Sequence, residues 1–412
     1  MRIFLIVTTA FFCLTPVNAA ERYFTTLNQV HVAGFQGWFS CPSDGTGAGW
    51  SHWYRGGSDI SKSSSLAIDN WPDMSELDDA EKCSTSYQTG SGEPIFLYSN
   101  ANPKTVDRQV RWLAEYGIDG LAVQRFGSGL QDPGPNRFFR RVLRNIQTSS
   151  EKHKRGFFVM YDGIKPETVD LIEADWKRLK SEAITSSPSY VFHHGKPVVG
   201  LWGLGFKERP MSVDQSRDLI SFFKSEGVTL LGGVPSRWRT LTSDSRSEPE
   251  WSAIYRSFDI ISPWSVGRFV DQAGVNAYTN SVTLPDLAET KRLGLGYMPV
   301  VFPGFSWHNG RAAQNANQVD ALPRRCGTFY RHQIGYAIRS GANMLYSAMF
   351  DEIQEGTAIF KLSTNASNSP TGIDLVYLGK DQCQATSDMY LRIAGQATEM
   401  LRSTSRANKD LR

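Results

Sequence analysis

The stretch ANMLYSAMFDEIQEGT, residues 342–357, sets an apolar run of strand character against two glutamates three residues apart, closed by a glycine. A short run carrying Met, Leu, Tyr, Ala and Phe with few polar breaks reads as a strand buried on both faces, as in parallel sheets. Asp351, Glu352 and Glu355 then stand at its carboxyl end. Glu352 and Glu355 are either a carboxylate pair or ordinary acids decorating a helix start, where negative charge is worth only about 0.3–1 kcal/mol. Which reading applies depends on what the rest of the chain places around this strand.

Seven further strand candidates precede it: VHVAGFQGWF (30–39), IDGLAVQRF (118–126), GFFVMYDG (156–163), PVVGLWGL (197–204), VTLLGGVP (228–235), DIISPWSV (259–266) and LGYMPVVFPGF (295–305). Between them lie segments patterned as amphipathic helices. TVDRQVRWLAEYG follows Pro103 and ends in glycine, while KPETVDLIEADWKRLK and SVDQSRDLISFFKSEG carry acids early and bases late. Eight strands alternating with helices predict an α/β fold, a single (β/α)8 barrel, with a doubly wound open sheet as the alternative. Residues 40–100, rich in Ser, Gly and Asp and holding two cysteines, read as a long disulfide-pinned insertion after the first strand. In a barrel that insertion lands on the carboxyl face, where chemistry takes place.

The first residues, MRIFLIVTTAFFCL and TPVNAA, have the charge, the apolar run and the small residues of a secretory signal peptide, cleaved after Ala19. The expected organisation is a signal peptide over 1–19, a barrel domain over 20–401 and a flexible tail, RSTSRANKDLR, over 402–412. Losing Arg2 takes the formal charge from +3 to +2. So balanced a charge points to neither nucleic acid nor an anionic membrane as partner. The run at the start is too short for a membrane span, and no later window supplies one. The expectation is a secreted protein, extracellular or periplasmic, and monomeric.

Cys13 leaves with the signal, so four cysteines remain: Cys41, Cys83, Cys326 and Cys383. An even count in an exported chain favours two disulfides; three pairings are possible, and the order along the chain suggests Cys41–Cys83 and Cys326–Cys383. None of them has zinc-ligand spacing, and no histidine pair reads HxH or HxxxH, so no metal and no cofactor are expected. His193 and His194, in VFHHGKP, read as solvated residues of a hairpin turn.

Residues at strand ends are the ones a barrel uses for chemistry. They are Gln36 and Trp38, Gln124 and Arg125, Tyr161 and Asp162, Trp202, Trp264, and Trp307 with His308; His52 and Trp53 join them from the insertion. Aromatic faces stack on the C–H faces of sugars while amides and charges bind hydroxyls, so the set suits an oligosaccharide or polysaccharide. GTGAGW (45–50) is not followed by a helical pattern and reads as a turn rather than a phosphate loop, and a GxSxG nucleophile elbow is missing. Glycosidic cleavage needs two carboxyl groups, and Glu352 and Glu355, whose Cβ atoms would stand roughly 5–6 Å apart on a helical turn, supply them. Asp119, at the start of its strand, reads as structural. Asn365-Ala-Ser is a glycosylation sequon.

VAGFQGWF (32–39), GAGWSHW (47–53), YMPVVFPGFSWHN (297–309) and above all EIQEGT (352–357) resemble glycoside hydrolase family 99, the endo-α-1,2-mannosidases and mannanases, and more distantly family 71. The resemblance runs over most of the mature chain, and ExxEGT is its distinctive element. It implies a metal-independent, retaining barrel hydrolase, endo-acting on an α-linked, mannan-like glycan. In the family one glutamate deprotonates the substrate's own 2-hydroxyl, forming a 1,2-anhydro sugar, while the other protonates the leaving group. Matched onto the motif, Glu352 is the base and Glu355 the general acid. The family's motif reads EWxEGT, often with histidine before the second glutamate; here Ile353 and Gln354 intervene, and GFQGWF differs from the WYGNP-like first-strand ending. The alternatives are a carbohydrate-binding protein on a degenerate barrel, or a retaining glycosidase using Asp162 or Asp351 with Glu355.

Overall fold

A computed structural model describes residues 21–55, 65–311, 319–380 and 382–410, with only the backbone of residue 311 and of residues 404–410. The signal-peptide reading of residues 1–19 lies outside the described residues. The strands are β1 (Val30–Phe35), β2 (Lys82–Gln88), β3 (Pro94–Tyr98), β4 (Gly120–Phe126), β5 (Gly156–Asp162), β6 (Phe192–His193), β7 (Lys196–Trp202), β8 (Thr229–Val234), β9 (Ile260–Pro263), β10 (Gly296–Tyr297), β11 (Val300–Val301) and β12 (Met344–Ser347). In the main sheet they run in the order β10-β9-β8-β7-β5-β4-β1-β12-β11, all parallel.

β10 and β11 are one strand interrupted at Met298 and Pro299, because proline has no N–H to give to a ladder. The ladder is carried across the gap by Met298 N–H, donating to Ile261 O at 2.9 Å, and by Pro299 O, accepting from Tyr346 N–H at 3.1 Å. Counted this way, eight strands close on themselves, one at each of the eight segments expected from the sequence, with β7 starting one residue before its segment. β1 and β8 are buried at every residue, the pattern of strands covered on both faces.

The connecting helices start and stop on the expected signals. Asn102 caps Pro103–Tyr116 by accepting from Lys104 N–H, and Gly117 ends that helix in the left-handed region. Ser212 and Gln215 form a capping box on Val213–Ser225. The final helix, Met389–Asp410, runs past residue 402, and the Arg402 guanidinium pairs with Asp119 at the amino end of β4, whose carboxylate also accepts from His31 N–H. Among the described residues no helix is long and apolar enough to cross a membrane.

The cysteines pair as chain order suggested, Cys41 with Cys83 and Cys326 with Cys383. The first bridge ties the start of the insertion that follows β1 to the β2–β3 hairpin within it. One histidine departs from expectation. His193 is buried rather than solvated: it pairs within β6 against β7, Leu27 N–H donates to its Nδ1 at 3.1 Å, and burial lowers its pKa to about 4.

β4 and β5 pair through Gly120 opposite Gly156, and a Cβ on Gly120 would lie 2.3 Å from the Gly156 carbonyl oxygen. Gly120→Ala is therefore expected to force two backbones apart and to cost about 1–3 kcal/mol. Urea denaturation measures this, and an unchanged midpoint would contradict the close approach.

Candidate active site

At the carboxyl end of the barrel the last strand is sewn to the first. Asp351 is fully buried; its Oδ1 accepts from Gln36 N–H and its Oδ2 from Gly37 N–H, both at 2.8 Å. Phe350 N–H donates to Gly34 O at 2.6 Å just below. Burial raises the Asp351 pKa to about 7, against the two amides that favour its ionised form. With both oxygens committed to backbone, Asp351 is a clamp and faces no cleft.

The clamp sets the next residue. Gln36 Nε2 donates to Glu352 Oε2 at 3.0 Å, and Glu352 Oε1 accepts from the backbone N–H groups of Gln354 and Glu355 at 2.9 and 3.2 Å. Glu352 and Glu355 thus share one tight turn. Glu352 is buried and Glu355 half-buried. The Glu352 pKa is pushed well above the usual carboxylate range, first by burial, then by the neighbouring charges of Glu355 and Asp351, with the two backbone amides opposing.

Residues between and after the glutamates dock the turn. Ile353, fully buried, offers its carbonyl to the N–H groups of Asp69 and Asn70 at 2.8 and 3.0 Å. The Asp69 carboxylate accepts from Ser306 Oγ, from His308 N–H at 2.7 Å and from Asn309 N–H at 2.8 Å. Buried Arg324 donates to Gly356 O at 2.9 Å and Ala358 O at 2.7 Å. Gly356 has φ +63°, and a Cβ there would lie 2.9 Å from Ser306 N, so the glycine closing the motif is required by both conformation and space.

Together these segments enclose a cleft of about 850 Å³. Glu352, Gln354 and Glu355 line it with Trp38, Trp50, His52, Tyr54, Arg55 and Trp307. Trp38 and His52 stack face to face, their centroids 3.9 Å apart, and Phe126 stacks behind Trp38 at 5.2 Å. His52 Nδ1 bonds Gln354 Oε1 at 3.0 Å, and burial lowers the His52 pKa to about 4. Among the described residues no three or more His, Cys, Asp or Glu side chains are grouped to hold a metal ion.

Of the strand-end and insertion residues expected at a binding surface, Trp38, His52 and Trp307 line this cleft, and Gln36 touches it through Glu352. Others do not reach it. Trp53 is fully buried between Phe39 and Tyr98, with its Nε1 donating to Tyr98 O. Arg125 and Tyr161 stand side by side in the β4–β5 register, and both bond Asp175 on the helix Val169–Ser181, so they lock the helix layer to the barrel. Gln124 faces inward and donates to Tyr346 Oη at 3.2 Å. Asp162 pairs with Arg209 at 3.5 Å; Arg209 also covers Trp202, which meets Trp264 edge to face, making a separate cluster away from the glutamates. The His308 ring lies 3.9 Å from Asp374, outside the cleft lining.

Asp69 and Arg324 were not singled out by the sequence, and nothing local marks them; Gln354 stood out as a departure from the family motif, without a role. Trp50 and Arg55 lie within or just after GAGWSHW and could have been reached from it.

The barrel has solved counterparts in fold. Its fold is that of a GH99 enzyme. The GH99 endo-alpha-mannosidase from Bacteroides thetaiotaomicron superposes with a TM-score of 0.65 at 15% identity, over 92% of this chain and 100% of that one. A structure of the GH99 endo-alpha-mannosidase in complex with bis-tris-propane gives a TM-score of 0.66 at 14% identity, with the same coverage. A glycoside hydrolase-like protein gives 0.52 at 14%, over 80% of this chain and 94% of that one. No protein-family model matches the chain, and no curated protein matches it in sequence.

Asp351→Ala is expected to strand two buried amides at about 1–3 kcal/mol each. Thermal or urea unfolding checks this; wild-type stability in the variant would mean that the clamp contributes nothing.

Proposed function

We propose that the chain is a secreted glycoside hydrolase that cleaves an α-linked, mannan-like glycan internally and with retention, through Glu352 and Glu355. The observation that carries this is the pair itself, folded on one turn at the end of the last barrel strand and opening into a cleft walled by Trp38, Trp50 and Trp307. The fold shared with the GH99 endo-alpha-mannosidase supports it. Two disulfides fit an oxidising compartment, in keeping with the signal peptide read from residues 1–19.

In the first step Glu352 takes the proton of the substrate's 2-hydroxyl as that oxygen attacks C1. The bond from C1 to the glycosidic oxygen breaks, its electron pair leaves with that oxygen, and Glu355 protonates it. In the second step water adds to C1 of the 1,2-anhydro sugar, Glu355 accepts the water's proton and Glu352 returns the first proton to O2. Two inversions at C1 give net retention. A carboxylate with a raised pKa is the stronger base toward a weakly acidic hydroxyl, and the environment of Glu352 raises it. A 2-hydroxyl donating to Glu352 favours its ionised form, the form a base needs.

The reading with Asp162 or Asp351 as nucleophile lacks a geometric basis, since one pairs with Arg209 outside the cleft and the other has both oxygens on backbone amides.

Glu355→Gln is expected to lower hydrolysis of α-mannan by on the order of 10²–10⁴-fold while leaving fold and glycan binding intact. A fully active Glu355→Gln enzyme, or a wild type that binds glycans without releasing product, would overturn the proposal. An activated fluoro-sugar should label no carboxylate. Gln36→Leu removes a donor to the Glu352 anion, so the pH profile of kcat/KM should move to higher pH; a downward move would contradict the assigned contact.

A further inference from the structure

His52 combines observations that packing alone does not explain. Its backbone is left-handed, φ +63°, a conformation that costs a non-glycine residue on the order of 1 kcal/mol and is kept where surroundings impose it. The surroundings do so from two sides: the Trp38 indole lies parallel to the imidazole within 4°, and Gln354 holds Nδ1 at 3.0 Å. An amide oxygen accepts, so Nδ1 carries the ring proton and Nε2 carries a lone pair. Among the described residues Nε2 has no protein partner, and the ring lines the cleft beside Glu352 and Glu355.

We infer that His52 determines specificity by presenting Nε2 as a fixed, neutral hydrogen-bond acceptor to a sugar hydroxyl, with Gln354 as the positioning residue that sets the tautomer. This deepens the glycan reading of the same cleft and rests on it. An acceptor in this position requires a donor, so a free hydroxyl is selected over an O-methylated or deoxygenated carbon. With Glu352 and Glu355 as the acidic groups among the described residues of the cleft and Arg55 turned to the Leu66 and Asn309 carbonyls, the Nε2 lone pair adds to a surface that disfavours a uronate or sulfate. The substrate class is a neutral, hydroxyl-bearing hexose chain. The low His52 pKa keeps the ring neutral at neutral pH.

The test uses the full chain labelled with ¹⁵N-histidine. Long-range ¹H–¹⁵N correlation should show His52 protonated at Nδ1 and bare at Nε2 at pH 7, with Nε2 shifting on addition of α-1,2-mannobiose or α-1,3-glucobiose. Gln354→Glu places a carboxylate on Nδ1, should raise the His52 titration midpoint and should protonate Nε2. His52→Phe keeps a ring against Trp38 but loses the acceptor, so KM for neutral α-mannan should rise roughly tenfold with kcat little changed.

A proton on Nε2 or a charged ring at pH 7, no response of Nε2 to either disaccharide, or an unchanged KM in His52→Phe would each overturn the inference. The two proposals fail separately. A chain whose Nε2 responds to mannobiose but which hydrolyses nothing sinks the hydrolase and keeps this site; hydrolysis with a silent His52 does the reverse.

Discussion

The Asp351 carboxylate is the constraint on which the site depends. By taking the Gln36 and Gly37 amides on its two oxygens, it fixes the end of β1 against the end of β12. The turn that carries both glutamates then follows within a few bonds. The Gln36 side chain, positioned by its own clamped backbone, reaches Glu352, and the turn that Glu352 caps carries Glu355. Burial raises the pKa of Asp351, and burial followed by the charges of Glu355 and Asp351 raises that of Glu352, which is the electrostatic consequence of building the site on the barrel seam.

The cleft needs more than the seam. Its walls come from residues 38–55, from residues 307–310 and from the motif itself, and these are held together by Asp69 and Arg324. Asp69 organises the loop after Ser306, while its own backbone N–H and that of Asn70 grip Ile353. This gives the residues between the glutamates definite work. Ile353 is the buried anchor of the turn, and Gln354 reaches across to His52, so an imidazole stands in the cleft although the motif contains none.

The barrel was legible because its strands are buried on both faces and its helices carry caps, acids and glycines at the positions that backbone hydrogen bonding demands. Eight apolar segments became eight strands, even where Pro299 splits one of them. The site was less legible because a strand end does not declare which way its side chains point. Arg125 and Tyr161, paired in register on adjacent strands, turn outward to Asp175, whereas Gln124 turns inward to Tyr346. The two-residue period alternates faces, but in a strand buried on both sides apolar residues occupy both, so the pattern carries no sign.

Sequence alone determined the strand count and the location of two glutamates at the end of the last strand, because each depends on local periodicity or on spacing along the chain; chain order only suggested the cysteine pairing, which the structure decided among three. Tertiary structure decided that Trp53 is core, that Asp351 is a clamp, and that Trp38, His52 and Trp307 share one cleft with Glu352 and Glu355. Those outcomes hinge on contacts between residues up to about three hundred positions apart, such as Gln36 with Glu352 and His52 with Gln354. Pairings of that kind are created by barrel closure, and no local pattern along the chain encodes them.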